Sequence, residues 1–196
     1  MPRIGMEPVR RKALIDAAIE AIHQEGMAHI TMGTIAKRAG VSAGLAHHYF
    51  GGKDKLLLAT MRHLLSELGE EMQRCLKTAA TPRARISAII AGNFSEAQFR
   101  PAVISAWLAF YEAAQTEPEA RRLLRVYTRR LESNLLHALQ DLVAREEAVR
   151  IAETLAALID GVWIRRSLAE PADPDGAAAL LEHAVDALLN RKQAHA

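Results

Sequence analysis

Apolar positions near the start of the chain recur at helical spacing. Leu14, Ile15, Ala18, Ile19 and Ile22 lie three and four residues apart, the stripe of an amphipathic helix, and Gly26 follows as its stop. Thr31 is placed to cap a second, short helix by accepting a backbone N–H, with Ile35, Ala36 and Ala39 as its buried face and Gly40 as its end. Val41 packs inward, Ser42 caps a third helix, and Leu45 with Phe50 anchors it until the glycines at 51 and 52 end it. A longer helix starts near Lys53. The same period continues through the rest of the chain without a convincing strand series, so the pattern predicts an all-α protein. Prolines mark the later boundaries, because each lacks the N–H a helix interior needs. They fall at Thr81-Pro82, Arg100-Pro101, Glu117-Pro118 and from Glu170-Pro171 to Pro174.

The order short helix, glycine-containing turn, capped second helix is what a helix-turn-helix requires. The first helix of such a pair crosses the DNA backbone, and the second enters the major groove, which is wide enough for one helix. With Leu45 and Phe50 facing the core, Ala43, Gly44, His47 and His48 are left outward. Small residues there permit close approach, and imidazoles can bond base edges. Thr31, Ser42, Tyr49 and Lys53 stand where a hydroxyl or an ammonium can grip phosphates. The chain therefore divides into a DNA-binding domain at 1–55 and a helical second domain at 56–196.

Charge changes this picture only slightly. Residues 1–60 hold 8 Lys/Arg against 5 Asp/Glu, and the remaining 136 hold 17 against 18, so the basic surplus lies where the helix-turn-helix is. Half of the eight histidines, His23, His29, His47 and His48, lie there too. The single cysteine, Cys75, excludes an intramolecular disulfide framework and reads as a small hydrophobe on a helix. No uninterrupted apolar run reaches about 18 residues, and Met1 to Gly5 lacks the apolar stretch of a secretory signal, so a cytoplasmic protein without a membrane span is expected. An enzyme needs a nucleophile with a base and an orienting group, or a metal set such as H-x-x-x-H. Neither spacing occurs, and no catalytic residue, metal or cofactor is expected.

Aromatic residues raise the ligand question. There are nine Phe, Trp or Tyr in 196 residues, yet Trp107, Phe110 and Tyr111 lie within five positions, and Trp163 follows Asp160 by three. On helices 107 and 111 share a face, as do 160 and 163. Such rings can surround a quaternary ammonium, with Asp160 or Glu112 adding a carboxylate; equally, they can fill the core between helices.

The string TMGTIAKRAGVSAGLAHHYFGGKDKLL resembles the N-terminal domain of the tetracycline-repressor family, in its capping threonine, IAxxAGVS-type turn, YF pair and KxxLL helix start. The resemblance implies that Thr31, Tyr49 and Lys53 contact phosphates and that Ala43, Gly44, Leu45, His47 and His48 lie at or near bases. Gly52 departs from the polar capping residue common before that lysine. The family's second domain encloses a small-ligand pocket and pairs through its last two helices into a homodimer. The matching segments here are Arg145 to Ala169 and Asp175 to Leu189, the latter carrying Ala177, Ala178, Leu181, Val185, Leu188 and Leu189. A two-fold dimer implies an inverted-repeat operator on double-stranded DNA. MPRIGMEPVRRKALIDAAIEAI, GNFSEAQ, AWLAFYEAA and LAALIDGVWIRRSL are similar to the branch of this family that represses choline uptake and glycine betaine synthesis. That implies choline as the ligand, with Trp107, Tyr111 and Trp163 as preferred walls and Phe110, Asn93 and Asp160 beside them. The alternative is a repressor of the same family that senses a hydrophobic cation, an acyl compound or a nucleobase. The Asp160-Gly161 pair also has a packing reading.

Overall fold

The computed structural model of the chain describes residues 5–190. Within them the chain forms nine α-helices and one 3₁₀ turn, with no strand: α1 (Met6–Glu25), α2 (Met32–Arg38), α3 (Ala43–Phe50), α4 (Lys53–Lys77), α5 (Pro82–Asn93), the 3₁₀ turn Glu96–Phe99, α6 (Pro101–Thr116), α7 (Pro118–Leu139), α8 (Arg145–Ser167) and α9 (Pro174–Asn190). Every proline break falls where the sequence places it. Thr81 caps α5 by accepting the Ala84 N–H at 3.1 Å, and Pro82, Pro101, Pro118 and Pro174 each open a helix. None of these helices is long and apolar enough to cross a membrane.

Two compact units organise the described residues. The first takes in the chain up to Ser66 together with Arg100–Leu124; the second takes in Glu67–Phe99 and the chain from Arg125 on. By packing, therefore, α6 and the first turns of α7 belong with the N-terminal helices, and the sequence-order boundary at residue 55 lies in the first turn of α4.

In the first unit α1 buries Leu14, Ala17, Ala18, Ile19, Ala21 and Ile22 and packs against α2 and α6. His23 and Ser105 link α1 to α6 at 2.9 Å. Ser105 Oγ donates to the Pro101 carbonyl, so it accepts from His23 Nδ1–H. Met32, Ile35 and Ala36 are the buried face of α2, whereas Ala39 is half-buried. The inner face of α3 differs from the sequence reading. Ala46 and Phe50 are its buried residues and Leu45 is half-buried, because 46 and 50 are four apart and share a face while 45 sits a hundred degrees away.

In the second unit α5 packs on α8 and α9. Arg83 of α5 donates to Glu182 and Asp186 of α9, both at 2.7 Å. Gly92 lets α4 and α5 approach closely: a Cβ there would stand 3.3 Å from the Met72 Cα. Along α9, Ala177, Leu181 and Val185 face the protomer's own core, and Leu180 is the large apolar side chain left exposed.

Candidate DNA interface and ligand-site residues

The α2–turn–α3 unit is built by caps. Thr31 Oγ1 accepts the Thr34 N–H at 3.1 Å while Thr34 Oγ1 accepts the Thr31 N–H at 2.9 Å, a reciprocal box that satisfies two donors at the start of α2. Gly40, with φ 68°, and Val41, whose N–H donates to the Ala36 carbonyl, make the turn. Ser42 Oγ accepts the Leu45 N–H at 3.2 Å and starts α3. Gly51, in the left-handed region at φ 75°, ends it by donating to the His47 carbonyl.

On α3, Ala43, Gly44, His47 and His48 are exposed, as the division of faces requires. Tyr49 is half-buried. Arg11 of α1 sets its guanidinium carbon 5.4 Å from the Tyr49 ring centroid and 5.0 Å from that of Phe50, while Arg11 Nε donates to Glu7 at 2.8 Å. Lys53 Nζ donates to the Met27 carbonyl at 3.1 Å, tying the start of α4 to the loop before α2. Neither Arg11 nor the Met27 contact was legible in the sequence, since both depend on how α1 and its loop fold back on α3 and α4.

The candidate ligand residues fall into both units. In the first, Trp107 and Phe110 are buried, with ring centroids 5.8 Å apart, and Trp107 lies 6.3 Å from the Tyr111 ring. Glu112 is exposed. In the second, Trp163 is buried edge-on to Phe99, centroids 6.4 Å apart. The buried Asn93 donates through Nδ2 to the Ile89 carbonyl at 2.8 Å. Its Oδ1 lies 3.5 Å from the Tyr127 hydroxyl, which is 3.0 Å from Asp160 Oδ1. Burial raises the Asp160 pKa above the ordinary carboxylate value; the Tyr127 hydrogen bond opposes this and the Glu132 charge adds to it. Tyr127 and Phe99 are residues the sequence reading missed. For Tyr127 a signal exists: it falls on the inward stripe Leu124, Tyr127, Leu131, Leu135 of α7, the one hydroxyl in an apolar row. A Cβ on Gly161 would meet nothing within 4 Å, so packing inside the chain does not require that glycine. Among the described residues, no group of three His, Cys, Asp or Glu is placed to hold a metal ion.

Two short capped helices around a glycine turn, with an outward face of small residues and imidazoles, define a helix-turn-helix DNA-binding regulator. Residues 14–60 match the bacterial regulatory proteins of the tetR family, and residues 82–190 match the C-terminal domain of BetI-type transcriptional repressors. The chain is 57% identical over 180 residues to the HTH-type transcriptional regulator BetI of Brucella anthropi, covering 92% of each chain. It is 52% identical over 190 residues to that of Rhizobium meliloti, covering 96% of this chain and 94% of the relative. Among solved structures, a transcriptional regulator of Pseudomonas aeruginosa PAO1 superposes with a TM-score of 0.83 at 27% identity, over 96% of this chain and 94% of that one. A regulator from Saccharomonospora viridis, solved in complex with choline, has the same fold, with a TM-score of 0.79 at 21% identity over 91% and 96% of the two chains. The chain belongs to the TetR family of bacterial transcription regulators, with a BetI-type C-terminal domain. It is a transcriptional repressor and not an enzyme.

Proposed function

We propose that this repressor silences genes for choline uptake and for oxidation of choline to glycine betaine, and that choline relieves the repression. Full-length similarity to BetI regulators carries the reading. In support, both units hold side chains suited to a cation without N–H groups: the rings of Trp107, Phe110 and Tyr111 on α6, and Trp163 with Asp160 on α8 beside Asn93 of α5. Alanine replacements of Trp107 and of Trp163, measured separately for choline affinity, test the two groups independently.

The operator is an inverted repeat bound by a homodimer in the cytoplasm. Leu158, Leu168 and Leu180 are large apolar side chains exposed on and just after α8 and on α9, which suits a partner copy at these helices. Ala43, Gly44, Leu45, His47 and His48 meet base edges, while Thr31, Ser42, Tyr49 and Lys53 hold phosphates. Choline acts by binding more tightly to a dimer state with low operator affinity, since equal affinity for both states would shift nothing. Operator affinity measured with and without choline decides the matter. Unchanged affinity at saturating choline removes the induction model and leaves DNA binding intact. A thermal-shift screen of choline, betaine aldehyde and unrelated cations, acyl compounds and nucleobases identifies another effector if choline is inert.

A further inference from the structure

In the second unit Tyr127 joins two of the residues named above into one polar node. Asn93 of α5, Tyr127 of α7 and Asp160 of α8 meet at the Tyr127 hydroxyl. The Asn93 amide is fixed in orientation, because the Ile89 carbonyl can only accept and so holds Nδ2. Its Oδ1 is therefore the atom turned to Tyr127. A phenol carries a single proton, and two acceptors compete for it here. Asp160 Oδ1 is the nearer, at 3.0 Å against 3.5 Å, a separation that suits a Tyr127–Asp160 hydrogen bond in either direction.

Two proton arrangements satisfy the node. With Asp160 ionised, Tyr127 donates to the carboxylate. With Asp160 neutral, its own O–H donates to Tyr127, whose proton then goes to Asn93 Oδ1. The charged and titratable groups that face Asp160 are Tyr127 and Glu132, both from α7; from α5 the neutral Asn93 faces it through Tyr127. Burial and the nearby Glu132 charge favour the neutral form, and the Tyr127 hydrogen bond resists it. A cation arriving at such a carboxylate tips it to the ionised form. A quaternary ammonium has no N–H with which to bond the oxygens, so it leaves the Tyr127 hydrogen bond in place and acts through its charge alone, with the Trp163 ring one helical turn from Asp160 as an apolar wall.

We infer that Asp160 is the counter-charge of the choline site and that Tyr127 is its specificity-setting partner, its hydroxyl proton turning from Asn93 to Asp160 as choline ionises the carboxylate. This rests on the choline reading and deepens it. The proton lost by Asp160 goes to solvent, so choline binding releases up to one proton in the pH range where the free carboxyl is protonated. Choline affinity then rises with pH until it passes the raised value of the free carboxyl, and levels off beyond it.

The test is calorimetric titration of the full-length protein with choline and with 3,3-dimethylbutan-1-ol, its uncharged carbon isostere, across pH and in buffers of differing ionisation enthalpy. The wild type is expected to release protons and to prefer choline to the isostere. Asp160→Asn is expected to lose roughly tenfold or more in choline affinity, together with the proton release and most of the preference. Tyr127→Phe keeps the carboxylate but removes the bond that stabilises it, so its affinity–pH midpoint moves upward. A wild type that binds choline without proton release or pH dependence overturns the inference and leaves choline as effector. So does an Asp160→Asn protein that binds as the wild type does. A Tyr127→Phe midpoint that stays in place removes Tyr127 from the site. Absence of choline binding in the wild type overturns both readings.

Discussion

The guanidinium of Arg11 rests over the ring of Tyr49, 5.4 Å from its centroid, at the C-terminal end of α3. It lies 5.0 Å from Phe50 as well, and Glu7 holds its Nε. Cation–π contacts at partly exposed sites contribute about 0.5–1 kcal/mol each. Arg11→Met keeps the aliphatic stem and removes the charge, so it is expected to lower unfolding stability by about 1 kcal/mol. It also removes the support under the Tyr49 ring, the proposed phosphate contact. Urea titration and operator binding check the two effects, and unaltered operator affinity would show that Tyr49 needs no such support.

Thr31 holds α2 through the reciprocal bonds with Thr34. Thr31→Ala is expected to cost about 1 kcal/mol of stability, the usual loss for an N-cap. Thr31→Ser retains the oxygen and should recover most of that. Chemical denaturation of the three proteins measures it.

Lys53 is expected to act on DNA without reading it. Lys53→Ala should weaken binding to all sequences and reduce the slope of log affinity against log salt by roughly 1, as the loss of one phosphate contact does. Loss of the bond to the Met27 carbonyl adds about 1 kcal/mol of destabilisation, visible without DNA. A salt slope equal to that of the wild type assigns Lys53 to folding alone.

His47 and His48 are both exposed on the outward face of α3. Replacement of either by alanine is expected to change sequence preference, at about 1–3 kcal/mol per lost base contact. Binding to a panel of single-base operator variants reads this directly. A uniform loss across the panel places the histidine on the phosphates.

Gly92→Ala sets a Cβ 3.3 Å from the Met72 Cα, a backbone atom that no rotamer change can move away. The helix propensity of alanine returns about 1 kcal/mol, and overpacking costs about 1–3 kcal/mol. The net expectation is destabilisation of about 1 kcal/mol, measured by thermal or urea unfolding.

Helix boundaries were the most legible feature of the chain. Thr31 and Ser42 cap where a hydroxyl precedes an apolar period, and Pro82, Pro101, Pro118 and Pro174 each open a helix where the missing N–H costs nothing. The outward residues of α3 were legible for the same reason. The choice between Leu45 and Ala46 as its buried anchor was not, because α3 is two turns long and both are apolar. In α9 the period located an apolar face but not what it packs against; Ala177, Leu181 and Val185 turn to the protomer's own core, and Leu180 turns outward.

Local order, then, was determined by the sequence itself: caps, stops and face periodicity act over three or four residues, and that range is written in the chain. The tertiary structure decided everything that joins distant positions. Arg11 reaches Tyr49, Lys53 reaches Met27, and Tyr127 joins Asp160 to Asn93 across 33 and 34 residues. Such pairings depend on which helix faces come together. A helical period specifies that a face is buried, and only packing specifies its neighbour.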